Sequence, residues 1–348
     1  MKNVKVFMQK SKTITIIPII IIALWELFST QAAAASFDCK KASTWLEKTV
    51  CSNPELSKLD EELAKAYYDA LASLSPEGQK ETKEYQMQWL KEISYIKARS
   101  DKFYAEHKEF LDQRNKAIIR DIAIDYEQRI KELKQILTKF PPRIFRKVYI
   151  SNVKTNENCE YLIVRRKLSY SQIENPSDEN EKFCNNLISK KVSADFKKNS
   201  KGNDCTDILD GYGVSFSNKH LISFQGSQYH YSHGNAHGYT DAEIYFSWLL
   251  EDKRELKATD LFDDKTGWRK KLPSLVAQKW KKKKVDNKDN YYGPSIKEVT
   301  SPKNWLISKD GMEFQFRTFN SMGEDSITID WKTLDPYLSK KGRSLIYD

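Results

Sequence analysis

The chain has 348 residues, of which 39% are hydrophobic and 30% charged, with a formal net charge of +10 and five cysteines. That length allows two domains with real cores, and the basic balance favours anionic partners over cationic ones. No C-x-x-C spacing occurs, so a zinc ribbon or a thioredoxin-type redox site has no support.

The first 35 residues read as a cleavable secretory signal peptide. Lys2, Lys5, Lys10 and Lys12 form a basic start, an apolar run follows from Ile14 to Phe28, and Ala32 to Ala35 supply the small residues of a cleavage site after Ala35. The run is shorter than the ~20 residues that span a bilayer, and Glu26 interrupts it, so a stable membrane anchor is not expected. Phe37 and Asp38 before Cys39 do not fit a lipidation site. The expected location is periplasmic or secreted. Export argues against nucleic acid as the partner of the basic surface, and it places the cysteines where disulfides persist. The odd number leaves at least one thiol outside any intrachain pair.

From residue 36 to 140 the pattern predicts an all-α helical bundle or hairpin. Thr44 with Glu47 can form a capping box, and Asn53-Pro54 and Ser75-Pro76 each read as an N-cap followed by a first-turn proline. Leu56, Leu59, Leu63, Ala66, Tyr67, Ala70 and Leu74 make one apolar stripe. Met87, Leu90, Ile93 and Ile96 suggest a second, and a long helix is expected from Phe110 to Leu137, ended by Pro141-Pro142. Cys39 and Cys51 flank the first short helix; export favours a disulfide between them over two buried free thiols.

Phe37-Asp38-Cys39-Lys40-Lys41-Ala42, Glu47, Cys51, Pro54, Leu56, Leu59-Asp60 and Tyr67, with the later Trp89-Leu90, resemble the N-terminal motif of LprI-type lysozyme-inhibitor domains. The resemblance spans about Ser36 to Arg99 and implies a helical domain that binds lysozyme. That family's second cysteine pair has no counterpart after Trp89-Leu90.

Residues 143–348 read as an α+β domain with a mostly antiparallel sheet. Strands are expected over Lys147–Val153, Cys159–Leu168, Gly213–Ser217, His220–Gly226 and Thr240–Leu250, with a turn at Asn218-Lys219. Ser177–Phe196 reads as a helix with Phe183, Leu187, Ile188, Val192 and Phe196 on one face. Gly267–Lys284 reads as another, bent or begun near Pro273. Asp310-Gly311 marks a hairpin, and Ile327, Ile329 and Trp331 a last strand. Pairing among Cys159, Cys184 and Cys205 stays open, with three arrangements that each leave one thiol over.

Leu221-Ile222-Ser223-Phe224, the loop His233-Gly234-Asn235-Ala236-His237-Gly238-Tyr239 and Ala258-Thr259-Asp260-Leu261-Phe262 resemble the extracellular domain of RsiV, an anti-sigma factor that senses lysozyme. Phe314, Phe316, Ile327, Ile329, Trp331 and Pro336-Tyr337-Leu338 extend the likeness. It implies a lysozyme-binding α+β domain. The glycine-rich polar loop is the ligand-binding candidate: His233, Gly234, Asn235, His237, Gly238 and Tyr239.

His230, His233 and His237 with Asp241 have spacings that could converge on zinc, but a glycine-rich hairpin whose side chains bond to local backbone explains them as well; no metal or cofactor is expected. Ser232, His237 and Asp241 lack the strand–elbow–helix setting of a nucleophile, so no catalytic residue is assigned and the chain is not read as an enzyme. The run Lys279-Trp280-Lys281-Lys282-Lys283-Lys284 is either a helix end favoured by the dipole or a binder of anionic polymer. Two functions follow: an exported protein that binds and inhibits lysozyme-type muramidases, or a peptidoglycan- or anionic-polymer-binding module of the envelope without inhibitory activity.

Overall fold

The computed structural model describes residues 35–159, 162–199, 205–233, 238–283, 293–317 and 324–348. The expected signal peptide, apart from Ala35, lies outside the described residues, as do Gly234, Asn235, Ala236 and His237. The chain divides into two compact units, residues 1–64 and 65–348. The expected boundary at 140–143 falls inside the second unit, and helix α2 (Pro54–Ser73) continues from the first into the second.

In the first unit the expected caps form. Thr44 and Glu47 complete a capping box at the start of α1 (Trp45–Ser52), and Asn53 Oδ1 accepts from Leu56 N at 3.0 Å. Cys39 and Cys51 are disulfide-bonded, and Ser57 Oγ donates to Val50 O at 2.8 Å, tying α1 to α2.

The second unit contains a helical hairpin, α3 (Pro76–Glu106) and α4 (Arg114–Lys134), joined by a 3-10 turn. Trp89 and Tyr126 meet edge to face at 5.3 Å, and Arg99 pairs with Asp121 at 2.6 Å. The expected stripe on α3 is displaced: Tyr85, Trp89, Ile93 and Ile96 are buried, whereas Met87 and Leu90 are exposed. The long helix is also shorter than expected. Phe110 and Leu111 sit exposed in the 3-10 turn, and Leu137 begins strand β1 (Leu137–Phe140) instead of ending the helix. β1 turns at Pro141-Pro142 and pairs with β2 (Arg143–Thr155), so prolines read as a helix stop serve a hairpin.

The fold is α+β. Among the described residues a sheet runs in sequence order through β1, β2, β3 (Ile163–Ile173), β4 (Thr206–Ser217), β5 (Leu221–Ser232), β6 (Tyr239–Leu249) and β7 (Arg254–Glu255). All neighbours are antiparallel except β3 and β4. Their parallel pairing needs a crossover, which α5 (Glu179–Asn199) provides. Asn185 locks that helix to β3 by accepting from Ile173 N at 2.8 Å and donating to Ile173 O at 2.9 Å. Leu168, Tyr170, Cys184, Ile188, Val192, Phe224 and Phe246 form the core beneath it. Phe183, expected on that face, is exposed, and Cys184 takes the inward position.

After α6 (Ala258–Leu261), α7 (Trp268–Lys283) and α8 (Ile296–Val299), a second sheet of β8 (Trp305–Ile307), β9 (Gly311–Arg317) and β10 (Glu324–Asp330) follows, then α9 (Trp331–Leu334) and α10 (Lys340–Tyr347). Trp268, Leu272, Val276, Trp305, Phe314 and Ile329 form its core with Leu221 and Leu249 of the large sheet. Trp331 is not in the last strand; Asp330 caps a helix there, accepting from Thr333 N at 2.8 Å. Two buried indoles of this core are satisfied: Trp305 Nε1 donates to Val299 O at 2.7 Å and Trp331 Nε1 to Ser308 O at 2.9 Å.

The hairpin and the sheet meet at Arg146 of β2, whose side chain is 2% exposed. Nε donates to Glu81 at 2.9 Å, Nη1 to Glu174 at 3.2 Å and to Ile173 O at 3.2 Å, and Nη2 to Gln172 at 2.7 Å. Glu174 also accepts from Ser75 N before α3. Gly78 makes room for this: a Cβ there would stand 3.1 Å from Arg146 Cδ and 3.3 Å from Glu174 Oε2. Removing one member of a buried charge cluster strands the others, so Arg146→Ala is expected to cost about 3–5 kcal/mol in urea unfolding. Arg146→Lys should recover little of it, because an ammonium cannot span the same acceptors.

Candidate functional site

Strand alternation separates the faces of the large sheet. The face under α5 is core. On the other, the registers align Tyr149 with Ser169, Lys167 with Leu209, Leu209 with Tyr229 and Asp207 with Tyr231. The helical hairpin lies over β2 on this side: Tyr85 stacks on Tyr149 at 5.0 Å, Gln88 accepts from Ser151 N at 3.0 Å, and Glu92 pairs with Lys167 at 2.8 Å. Beyond β3 the face opens into a groove of about 540 Å³, walled by Tyr85, Asp125, Gln128 and Glu132 of the helices and floored by residues of β2 to β5. That volume is in the range of ligand sites. Leu209 and Tyr229 on its floor are each 38% exposed.

The charges are largely matched. Glu132 pairs with Arg129 at 3.1 Å; the guanidinium of Arg129 lies 4.5 Å over the Tyr85 ring. Asp207 accepts from Arg165 N at 2.7 Å and Arg165 Nε at 3.2 Å, and from His233 Nε2 at 3.2 Å. Burial holds the phenols of Tyr85 and Tyr149 above their ordinary value, so both stay neutral. Asp125 differs: half-buried in the wall, it accepts no hydrogen bond and makes no ion pair among the described residues. Burial pushes its pKa above the ordinary carboxylate value, against the pull of Lys167.

Of the loop candidates, His233 is not a free ligand. Its side chain is 2% exposed, its ring is bonded to Asp207, and its N–H donates to Cys205 O at 2.7 Å. Gly238 borders the groove: a Cβ there would come within 2.1 Å of Tyr229 Oη, so the ring of Tyr229 needs a glycine beside it. Tyr239 opens β6, with its backbone opposite His230. Gly234, Asn235 and His237 lie outside the described residues. The two described ends of the loop thus contact the groove, through Asp207 and Tyr229. The sequence reading missed Asp125, Asp207, Tyr149, Tyr229 and Tyr231. The alternation of Tyr229 and Tyr231 just before the loop was a usable signal; the position of Asp125 opposite them has no local one.

His230 points to the sheet face opposite Tyr229 and Tyr231, whereas His233 reaches Asp207, so these two imidazoles do not converge. Among the described residues no group of three or more His, Cys, Asp or Glu is arranged to hold a metal ion. Ser232 Oγ is bonded to Thr206 Oγ1 at 3.0 Å; Asp241 falls at the irregularity where the β5–β6 register shifts. In the lysine run, Trp280 is buried, Lys279 and Lys283 donate to Thr328 O and Ser326 O, each at 3.3 Å, and Lys281 and Lys282 are exposed.

Cys159 and Cys205 form the second disulfide, joining the segments before β3 and β4 at the His233 end of the groove. Cys184 is free and buried, its thiol pushed up to about 12 by burial, which leaves it unreactive at neutral pH. Two disulfides fit a chain that matures in an oxidising compartment. No helix among the described residues is long and apolar enough to cross a membrane.

Replacing Cys159 and Cys205 by Ser together is expected to lower unfolding free energy by about 2–4 kcal/mol, read as a lower urea midpoint; full stability would show that the crosslink does not constrain the sheet. Asp125→Asn should act oppositely. An acid whose folded pKa lies above its ordinary value loses stability as pH rises through that window, so the neutral amide should be more stable than wild type at pH 7, read as a higher urea midpoint. The difference should vanish below the unfolded value; a variant less stable than wild type at pH 7 would contradict this.

No family model matches the chain, and no curated protein matches it. Among solved structures, the chain is similar to a DUF3298-family protein of Bacteroides fragilis, at 17% identity over 59% of this chain and 96% of that one, with a TM-score of 0.42. It is likewise similar to a DUF3298-family protein of Pseudomonas aeruginosa, at 9% identity over 57% of this chain and 96% of that one, with a TM-score of 0.41.

Proposed function

We propose that this chain is an exported envelope protein that binds lysozyme-type muramidases and blocks them, acting as a binding protein and not as an enzyme. The observation that carries the reading is the position of the segment resembling the RsiV ectodomain. That segment supplies the β5–β6 hairpin, whose Tyr229 and Tyr231 floor an open, tyrosine-lined groove. Exposed tyrosines with hydrogen-bonding neighbours are the composition of protein-recognition surfaces. The segment resembling LprI-type domains, for its part, contains the Cys39–Cys51 staple. The signal-like N-terminus and the two disulfides support export, to a periplasm or beyond.

A second reading, binding of peptidoglycan or another anionic envelope polymer, draws on the exposed Lys281 and Lys282. One experiment separates the two. Oxidised protein comprising residues 36–348 is titrated with lysozymes of several types by calorimetry and added to cell-lysis assays, alongside retention on purified cell wall. Complexes with a Kd of about 1 μM or tighter, with slowed lysis, are expected for at least one lysozyme type. Absence of binding to all of them ends the first reading; wall retention without lysozyme binding favours the second.

A further inference from the structure

We propose that the groove on the open face of the large sheet receives a cationic side chain, a guanidinium or ammonium group presented by a polypeptide partner, with Asp125 as its counter-ion and Tyr149, Tyr229 and Tyr231 as ring faces. The inference rests on the reading of the chain as a muramidase-binding protein for the partner's identity, and on the groove alone for the chemistry of the contact.

Charge matching gives the sign. Lys167 is held by Glu92 at 2.8 Å, Arg165 by Asp207 at 3.2 Å, and Glu132 by Arg129 at 3.1 Å. With these pairs formed, Asp125 remains as a carboxylate without a hydrogen bond or ion pair among the described residues; Lys167, Arg165 and Arg99 act on it only from a distance, and their pull does not offset its burial. A carboxylate partly removed from water is stabilised by a cation placed beside it, and an anion there meets repulsion. An anionic polymer is therefore a poor occupant of this groove. A neutral saccharide could stack on the tyrosines but would leave the charge of Asp125 uncompensated.

The rings give the shape. Tyrosine faces attract guanidinium and ammonium groups, and the protein already uses that contact in the groove wall, where Arg129 lies 4.5 Å over Tyr85 and 5.8 Å from the Tyr149 ring centre. Tyr229 and Tyr231 stand on the floor, one residue apart in alternation, on the same face of β5. A volume of about 540 Å³ accommodates an arginine or lysine side chain with its flanking backbone.

The test titrates residues 36–348 with triarginine amide, with its neutral tricitrulline counterpart and with chitotriose, by calorimetry and by NMR. Triarginine should bind at least about tenfold more tightly than tricitrulline, weaken as salt is raised, and shift the ring signals of Tyr229 and Tyr231. Asp125→Asn should weaken triarginine about tenfold and Tyr229→Ala should weaken it too, while Glu109→Gln, at an exposed site in the 3-10 turn, should change nothing. Equal affinity for triarginine and tricitrulline, unchanged affinity in Asp125→Asn, ring shifts absent from Tyr229 and Tyr231, or binding of chitotriose alone would overturn the proposal. The two readings fail separately. Triarginine bound at Asp125 without any lysozyme binding removes the muramidase and keeps the chemistry; a lysozyme that binds Asp125→Asn as tightly as wild type does the reverse.

Discussion

A guanidinium taken out of water must find acceptors for its N–H groups or cost several kcal/mol, and Arg146 sets the helix–sheet arrangement by that requirement. Its acceptors come from both sides: Glu81 on α3, and Gln172, Ile173 O and Glu174 at the end of β3. Glu174 closes the ring by accepting from Ser75 N at the start of α3. With that end fixed, the rest of α3 follows β2. Tyr85, Gln88 and Glu92 recur at three- and four-residue spacing, and they meet Tyr149, Ser151 and Lys167 in turn. Further along, Lys102 caps the carbonyls of Glu157 and Cys159, each at 2.8 Å. The helix is thereby committed to the β2–β3 strip, and the face of β4 and β5 next to it stays open.

The floor of the groove follows from the one parallel pair among the described strands. Parallel strands begin at the same end of a sheet, so β3 and β4 both start beside the Cys159–Cys205 disulfide. β5, antiparallel to β4, ends there and brings His233 to the same corner. Asp207 can therefore bond Arg165 from one neighbour strand and His233 from the other. The crossover helix that parallel pairing requires covers the opposite face. Apolar burial is met on that side, and the groove side can carry charges and tyrosines.

Much of this was legible in the sequence because it is local. The Thr44–Glu47 capping box, the proline-started helices and the hairpin at Asp310-Gly311 depend on a few adjacent residues, and they form where expected. What was not legible depends on partners distant in sequence. Tyr85 and Trp89 replace Met87 and Leu90 on the buried face of α3, because a sheet and a second helix press on it from two directions. Leu137 is apolar at helical spacing, but its neighbours pair with β2, and two prolines allow the turn. The site divides the same way. The loop stood out by its glycines and histidines, yet His233 is a buried anchor. The groove it borders is assembled from residues as far apart in sequence as Tyr85 and Tyr231.

Overall charge is therefore a weak guide to the partner of this protein. The full chain's net charge of +10, of which residues 1–35 contribute +3 through four lysines and one glutamate, leaves +7 on residues 36–348; that charge governs approach from a distance and should repel a basic partner. At physiological salt that field is screened beyond about 8 Å, so contact energy is decided by the few groups that lose water together. In the groove those groups are tyrosine rings, matched ion pairs and the carboxylate of Asp125, which has no ion pair or hydrogen bond among the described residues. The segment Ser36 to Ser75 carries seven acidic and five basic residues, a second place where local charge opposes the total. If the proposed basic partner binds, it would associate slowly and be selected after contact, because a desolvated carboxylate rewards a well-placed cation and penalises its absence. The raised pKa of Asp125 reports the cost side of that arrangement: burial disfavours the charged form, and the cations around it do not offset the loss of water.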